Sequence, residues 1–359
     1  MTGDEWADGD DTGAVIAHRW PALAPWLQPI AAAALQRRDR WPHALLIAGP
    51  RGVGKRALAA HFARSLLCEA PAADGAACGQ CTSCGYVAAG QHPDFVRVEP
   101  VELDEEGNAT PTDVIKVDAI RRLIDWTQVT SHRRRAKVAM IAPAEAMHYA
   151  AANALLKTLE EPPPGTFLML VAHRPGGLPP TIASRCRRLI VAIPDRRAAG
   201  AWLEANGVSG GEGILAQAGG APYRALELAD RAHQAERAAW MTALASPQSL
   251  APITLAARIE LAGRDERRDR LAASIDWLIA WTADLARVAA GGRPAFNPDR
   301  SGDLAALAVR VARISLFRYH QSLLRQRTLV THPLQPRLVA EALLIDYRRL
   351  FEPDGGTTG

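Results

Sequence analysis

The run AAANALLKTLEEPPPGTFLMLVAHRPGGLPPTIASRC, from Ala150 to Cys186, decides how the rest of the chain is read. Ala150 to Glu161 is rich in Ala, Leu, Lys and Glu and puts Leu155, Leu156 and Leu159 on one face, which predicts a helix. Pro162, Pro163 and Pro164 end that helix, because proline has no N–H to continue the ladder. Phe167 to Ala172 is short and continuously apolar, the pattern of a strand buried on both faces. After a Gly/Pro turn, a second short helix leads into Ser184-Arg185-Cys186.

Working back toward the N-terminus, Leu45 to Ala48 reads as another buried strand. It runs into Gly49-Pro50-Arg51-Gly52-Val53-Gly54-Lys55 and then a helix through Leu58 and Phe62. Strand, glycine loop and helix in that order match a phosphate-binding P-loop. Its glycines let backbone N–H groups approach phosphate, and Lys55 would reach the β- and γ-phosphates. Arg56 stands where a Ser or Thr hydroxyl would hold Mg²⁺. Two readings fit Gly49, Gly52, Gly54 and Lys55: retained ATP, ADP or anion binding, and a structural relic. On the strand Lys137 to Ile141, the next residues are Ala142 and Pro143, which neither ligate Mg²⁺ nor polarise water; Glu145 lies beyond the strand end.

Cys68, Cys78, Cys81 and Cys84 are spaced C-x9-C-x2-C-x2-C. Two C-x2-C steps sharing a cysteine can wrap four thiolates around Zn²⁺ in a closed, structural site. A redox pair and unliganded thiols are the alternatives.

Taken together, the NALLKTLEEPP run and the Ser-Arg-Cys that follows resemble the clamp-loader branch of the AAA+ ATPases. Ile115-Lys116-Val117-Asp118-Ala119-Ile120-Arg121 is similar to that family's I-x-V-D-x-I-R segment, and Gly219 to Leu226 to its sensor-2 region, with Tyr223 where arginine is expected and Arg224 beside it. The resemblance implies that Arg185, flanked by Ser184 and Cys186, is an arginine finger completing the ATP site of a neighbouring subunit. It also implies a four-cysteine zinc insert. The partners implied are gamma/tau motor subunits and delta in a pentameric ring, with a sliding clamp and primer–template DNA reached through the complex. Arg56, Ala142–Pro143 and Tyr223 depart from a working ATPase, so the chain is expected not to hydrolyse ATP by itself. An active ATPase of the same fold is the alternative reading, and a free-standing zinc-dependent nucleic-acid-binding module a third.

The expected architecture is an α/β P-loop AAA+ core with a zinc-binding insert, a small helical lid and an all-α C-terminal collar. Residues 1–15 read as an acidic disordered extension, 16–194 as the core with the insert at 68–84, 195–235 as the lid, 236–352 as the collar and 353–359 as a tail. Leu271, Ile275, Leu278 and Leu285 follow helical spacing in the collar, as do Leu304, Leu307, Val311, Ile314, Phe317 and Leu324, and then Leu338, Ala342, Ile345 and Leu350. Trp277 and Trp281 lie one turn apart and read as core or interface residues. Glu99 to Thr112 reads as an exposed hairpin or lid, and His132 to Arg135 as a basic solvated loop, with partner or DNA-backbone contact as the alternative.

The bulk figures bound this. The chain has 359 residues, 48% hydrophobic and 22% charged, which suits two or three globular domains. Five of its acids fall in residues 1–15, leaving 42 basic against 33 acidic residues in the remainder. No run is apolar enough to span a bilayer and the start is acidic, so no membrane partner and a cytoplasmic location are expected.

Overall fold

The aliphatic run at Ala44–Ala48 forms strand β1, which is buried along its whole length and pairs with a strand on each side. The computed structural model describes residues 23–103, 109–133, 135–263, 266–330 and 335–352. The expected extension at 1–15, residues 104–108 of the expected hairpin, Arg134 of the basic loop and the tail at 353–359 lie outside them.

In chain order come α1 (Gln28–Leu35), β1, α2 (Lys55–Leu67), α3 (Thr82–Ala88), β2 (Phe95–Val98), β3 (Val101–Leu103), β4 (Ala109–Pro111) and α4 (Val117–Gln128). There follow β5 (Lys137–Ile141), α5 (Tyr149–Glu160), β6 (Thr166–Ala172), α6 (Pro180–Ala183), β7 (Arg187–Ile190) and α7 (Arg196–Ala205). The remaining elements are α8 (Gly211–Gln217), α9 (Pro222–Leu228), α10 (Arg231–Leu244), α11 (Pro252–Ala257), α12 (Arg267–Ala289), α13 (Ser301–Ala308), α14 (Arg313–Leu329) and α15 (Pro336–Arg349).

Five strands make one parallel sheet in the order β2-β5-β6-β1-β7, and β3 and β4 pair separately as an antiparallel hairpin. Register fixes which side chains share a face: Leu46 lies opposite Leu170, and Ile47 opposite Val171. Leu45, Ile47, Val138, Met140, Met169 and Val171 belong to one core with Leu58 and Phe62 of α2. Leu46, Ala139, Ile141, Leu168 and Leu170 belong to another with Ile120 and Leu123 of α4 and Leu155 and Leu159 of α5. Helices therefore cover both faces, which is why these strands read as continuous rather than alternating apolar runs. The last strand of the sheet lies at Arg187–Ile190. It is an edge strand whose last residue, Ile190, is exposed, as is Ile193 beyond it.

The chain divides into two compact units: one runs to Ser209 and takes in Gly220–Glu227, and the other holds Gly210–Gly219 and the residues from Leu228 onward. Among its described residues the second unit has helices and loops and no strand. Its core gathers Trp240, Leu244, Ile275, Leu278, Trp281, Leu304, Leu316, Leu323, Leu344 and Tyr347. Trp281 Nε1 donates to the Tyr347 hydroxyl, which donates to Leu244 O, both at 2.8 Å, joining α12, α15 and α10. Asp284, fully buried, accepts the backbone N–H groups of Ala295, Phe296 and Asn297.

The residues from Leu304 to Leu324 do not share the single buried face that their spacing predicts. Leu304 and Leu307 are buried, but Ile314 and Phe317 are 69% and 63% exposed, and the buried residues of α14 are Leu316, Tyr319 and Leu323. A break at Val309–Ala312 ends α13 and restarts the helix as α14, which resets the phase. Leu338 is likewise exposed, and α15 buries Ala340, Leu343, Leu344 and Tyr347 instead.

Candidate functional site

The glycine loop follows the carboxyl end of β1 and hands over to α2 at Gly54, whose φ is +92°. Gly52 also has positive φ, at +77°. Both are crowded by residues around α9. A Cβ on Gly52 would lie 2.5 Å from the Arg224 Cβ, and one on Gly54 would lie 2.5 Å from the Tyr223 ring and 2.7 Å from Leu27. Tyr223 N donates to Gly52 O at 2.9 Å, and Trp26 Nε1 to Val53 O at 3.0 Å. Trp26, Trp202 and Tyr223 form an aromatic cluster against the loop. Lys55 is fully buried, and its Nζ turns back to Pro50 O at 2.5 Å.

Arg56 is also tied down. It pairs with Glu99, just past β2, at 3.1 Å and donates to Ala142 O, just past β5, at 3.2 Å. A fixed guanidinium thus links the loop to the strand ends where a nucleotide-hydrolysing site would gather metal ligands. Glu145 Oε1 accepts the N–H groups of His173 and Arg174 after β6, both at 2.9 Å. Burial pushes the His173 imidazole down to about 3, assisted by the positive field of Lys55, Arg51, Arg56 and Arg174.

The four cysteines come together, with their sulfur atoms all within 4.8 Å of one another. Cys68 Sγ lies 3.5 Å from Cys78 Sγ and 3.9 Å from Cys81 Sγ. Zn–S bonds of about 2.3 Å at tetrahedral angles put sulfur atoms about 3.8 Å apart, so the donor set fits a tetrahedral metal. Backbone N–H groups of Gln80 and Cys81 point at Cys78 Sγ and pull its thiol down to about 6. Cys78 N donates to Cys68 Sγ at 3.2 Å, and Cys84 N to Cys81 Sγ at 3.5 Å. Such N–H···S bonds favour thiolates, the form that binds metal.

This cluster is joined to the basic loop before β5, a link the sequence did not signal. Glu69 accepts Ser83 Oγ at 3.0 Å and a two-nitrogen contact from Arg133, with Nη2 at 2.5 Å. Arg135 donates to Cys68 O at 3.0 Å. Asp94, fully buried, accepts Ser131 Oγ and the N–H groups of His132 and Arg133.

Ser184, Arg185 and Cys186 lie between α6 and β7. Cys186 is 9% exposed and packs into the core beside Ile182 and Ala183, and burial pushes its thiol up to about 11. Ser184 Oγ donates to Thr181 O. Arg185 faces outward: Nε donates to Glu160 Oε1 at 2.7 Å, Nη2 donates to the same oxygen, and Nη1 donates to Thr181 O at 3.0 Å.

Because the sheet is parallel, the glycine loop and Arg185 lie at opposite ends of it. The loop follows Ala48, at the carboxyl end of β1, whereas Arg185 precedes Arg187, which pairs with Leu45 at the other end. Five strand residues at about 3.3 Å each separate the two levels. The structure therefore does not bring Arg185 to the chain's own loop.

The described residues thus form a parallel α/β unit that carries a four-cysteine cluster able to hold a metal, followed by a helical C-terminal region. A family model described as "DNA polymerase III, delta subunit" matches residues 29–194. Over 220 residues the chain is 41% identical to the DNA polymerase III subunit delta' of Pseudomonas aeruginosa, covering 60% of this chain and 64% of that protein. Against the delta' subunit of Haemophilus influenzae it is 30% identical over 274 residues, 73% of this chain and 77% of that protein. Against that of Escherichia coli K12 it is 36% identical over 209 residues, 57% and 60%. The chain belongs to the DNA polymerase III delta-prime family. Its matches span less than two thirds of the Pseudomonas and Escherichia relatives.

Proposed function

We propose that this chain is a non-hydrolysing subunit of a DNA polymerase III clamp loader, which supplies Arg185 in trans to the ATP site of a neighbouring subunit. Residues 16–194 would be its AAA+ core, 195–235 a lid and 236–352 a collar, with motor (gamma/tau) and delta subunits as neighbours in a pentameric ring. Sliding clamp and primer–template DNA would be met through that ring. Cys68, Cys78, Cys81 and Cys84 would hold Zn²⁺, which supplies a closed structural cross-link and no open position for water.

The observation that carries the reading is the placement of Arg185 on the surface, at the end of the sheet away from its own loop. A guanidinium there is of no use to phosphate bound in the same chain and is accessible to phosphate bound in another. Set against γ-phosphate oxygens, it stabilises charge that builds up during transfer. The chain's own loop supports a scaffold role: Lys55 is spent on Pro50 O, Arg56 on Glu99 and Ala142 O, and Tyr223 and Arg224 fill the space beside Gly52 and Gly54.

The test is ATP turnover with Mg²⁺ and primed DNA, for the chain alone and mixed with motor subunits. Silence alone is expected, with stimulation in the mixture that falls by about 10³-fold or more in Arg185→Ala. Robust turnover by the chain alone would replace this reading with an active ATPase.

A further inference from the structure

We propose that Glu160 is a positioning residue for Arg185, holding the guanidinium side-on so that its remaining donors are presented to a partner's phosphate. The inference rests on the in-trans reading above and adds a residue to it. Glu160 is the last residue of α5, where Pro162 to Pro164 fix the direction of the exit, and Arg185 is held one residue before the buried Cys186. Both partners thus stand on short, well-anchored backbone.

The hydrogen bonds divide the guanidinium into a bound edge and an available one. Nε and Nη2 both donate to Glu160 Oε1, and Nη1 donates to Thr181 O. A guanidinium has about five N–H donors in a fixed plane, so these bonds leave two for an incoming oxyanion. The side chains are 34% and 50% exposed, so the ion pair adds little to folding. What it does restrict is the orientation of a long side chain with many rotamers. Preorganised donors stabilise developing charge better than donors that must be ordered during the reaction.

One detail sharpens the test. Both bonds from Arg185 end on a single oxygen, so an amide carbonyl can replace the carboxylate. Glu160→Gln keeps that acceptor and Glu160→Ala removes it. A restraining latch predicts the opposite sign, because freeing the finger would then raise the rate.

The experiment uses the full chain assembled with its ATPase partners on primed DNA. It compares wild type, Glu160→Ala, Glu160→Gln and Arg185→Ala, with thermal unfolding of each variant alone as a folding control. Glu160→Ala is expected to lower kcat about 10-fold to 100-fold while KM for ATP stays within about twofold. Glu160→Gln should recover most of that loss, and unfolding temperatures should be unchanged. In the isolated chain, exchange of the Arg185 Nε–H should quicken in Glu160→Ala. Wild-type or higher kcat in Glu160→Ala, with Arg185→Ala still impaired, overturns the positioning role and leaves the in-trans reading standing. Wild-type kcat in Arg185→Ala overturns both.

Discussion

At the scale of single residues, the glycine loop is crowded by specific contacts. Gly54 at φ +92° has no room for a Cβ beside Tyr223 and Leu27. Gly54→Ala is expected to destabilise the first unit by about 1–3 kcal/mol through overpacking. Tyr223→Ala opens the space, so the double variant should cost less than the sum of the singles; a strictly additive cycle in urea unfolding would mean that the ring does not press on the loop. His173 gives a second, pH-dependent handle. Its folded-state pKa of about 3 lies below the unfolded value of about 6.5, so the unfolded chain binds the extra proton between those limits. Stability is full above about pH 6.5 and falls as the pH drops, by up to about 1.4 kcal/mol per unit from this residue. His173→Leu should flatten that acid limb by the same amount when unfolding free energy is followed from pH 7 to pH 5. An unchanged slope would show that the imidazole is not held neutral.

At the scale of elements, the four-cysteine segment and the basic loop form one mechanical piece, because Glu69 grips Arg133 and Cys68 O takes Arg135. Wild-type protein is expected to carry one zinc per chain, and Cys81→Ser to lose it. Residues 68–90 should then exchange amide hydrogens faster, and so should 131–133, which a cluster isolated from the loop would leave protected. Equal metal content in the two proteins would defeat the assignment. The cysteines, the strand Phe167 to Ala172 and the helix before it were all legible in the sequence. Each is written in local spacing: C-x2-C steps, a run of apolar residues, a proline stop. The grip of Glu69 on Arg133, of Arg56 on Glu99 and of Glu160 on Arg185 was not legible, since each joins residues far apart in the chain that only the sheet brings together. The α13–α14 stripe failed for a related reason: a break of four residues shifts helical phase without any Gly or Pro to mark it.

At the scale of the whole molecule, the described residues hold separate apolar cores. Two flank the parallel sheet, and the third is built from Trp240 to Tyr347. Each unit therefore has the buried surface to unfold cooperatively in its own right, and a single two-state transition is not expected. Tyr347→Phe tests this from one side. It removes the hydroxyl that accepts from Trp281 Nε1 and donates to Leu244 O, leaving two buried groups without a partner. Such a loss costs about 1–3 kcal/mol, and in calorimetry it should lower the transition of the helical unit alone. Gly54→Ala should lower the other transition alone. If either substitution moves both transitions together, the units unfold as one body, and Arg185, the proposed finger, would then share its stability with the helical region. If they move separately, Arg185 can be altered beside the sheet without loosening the helices, and a rate change on its substitution then supports the proposed in-trans role over a loss of folding.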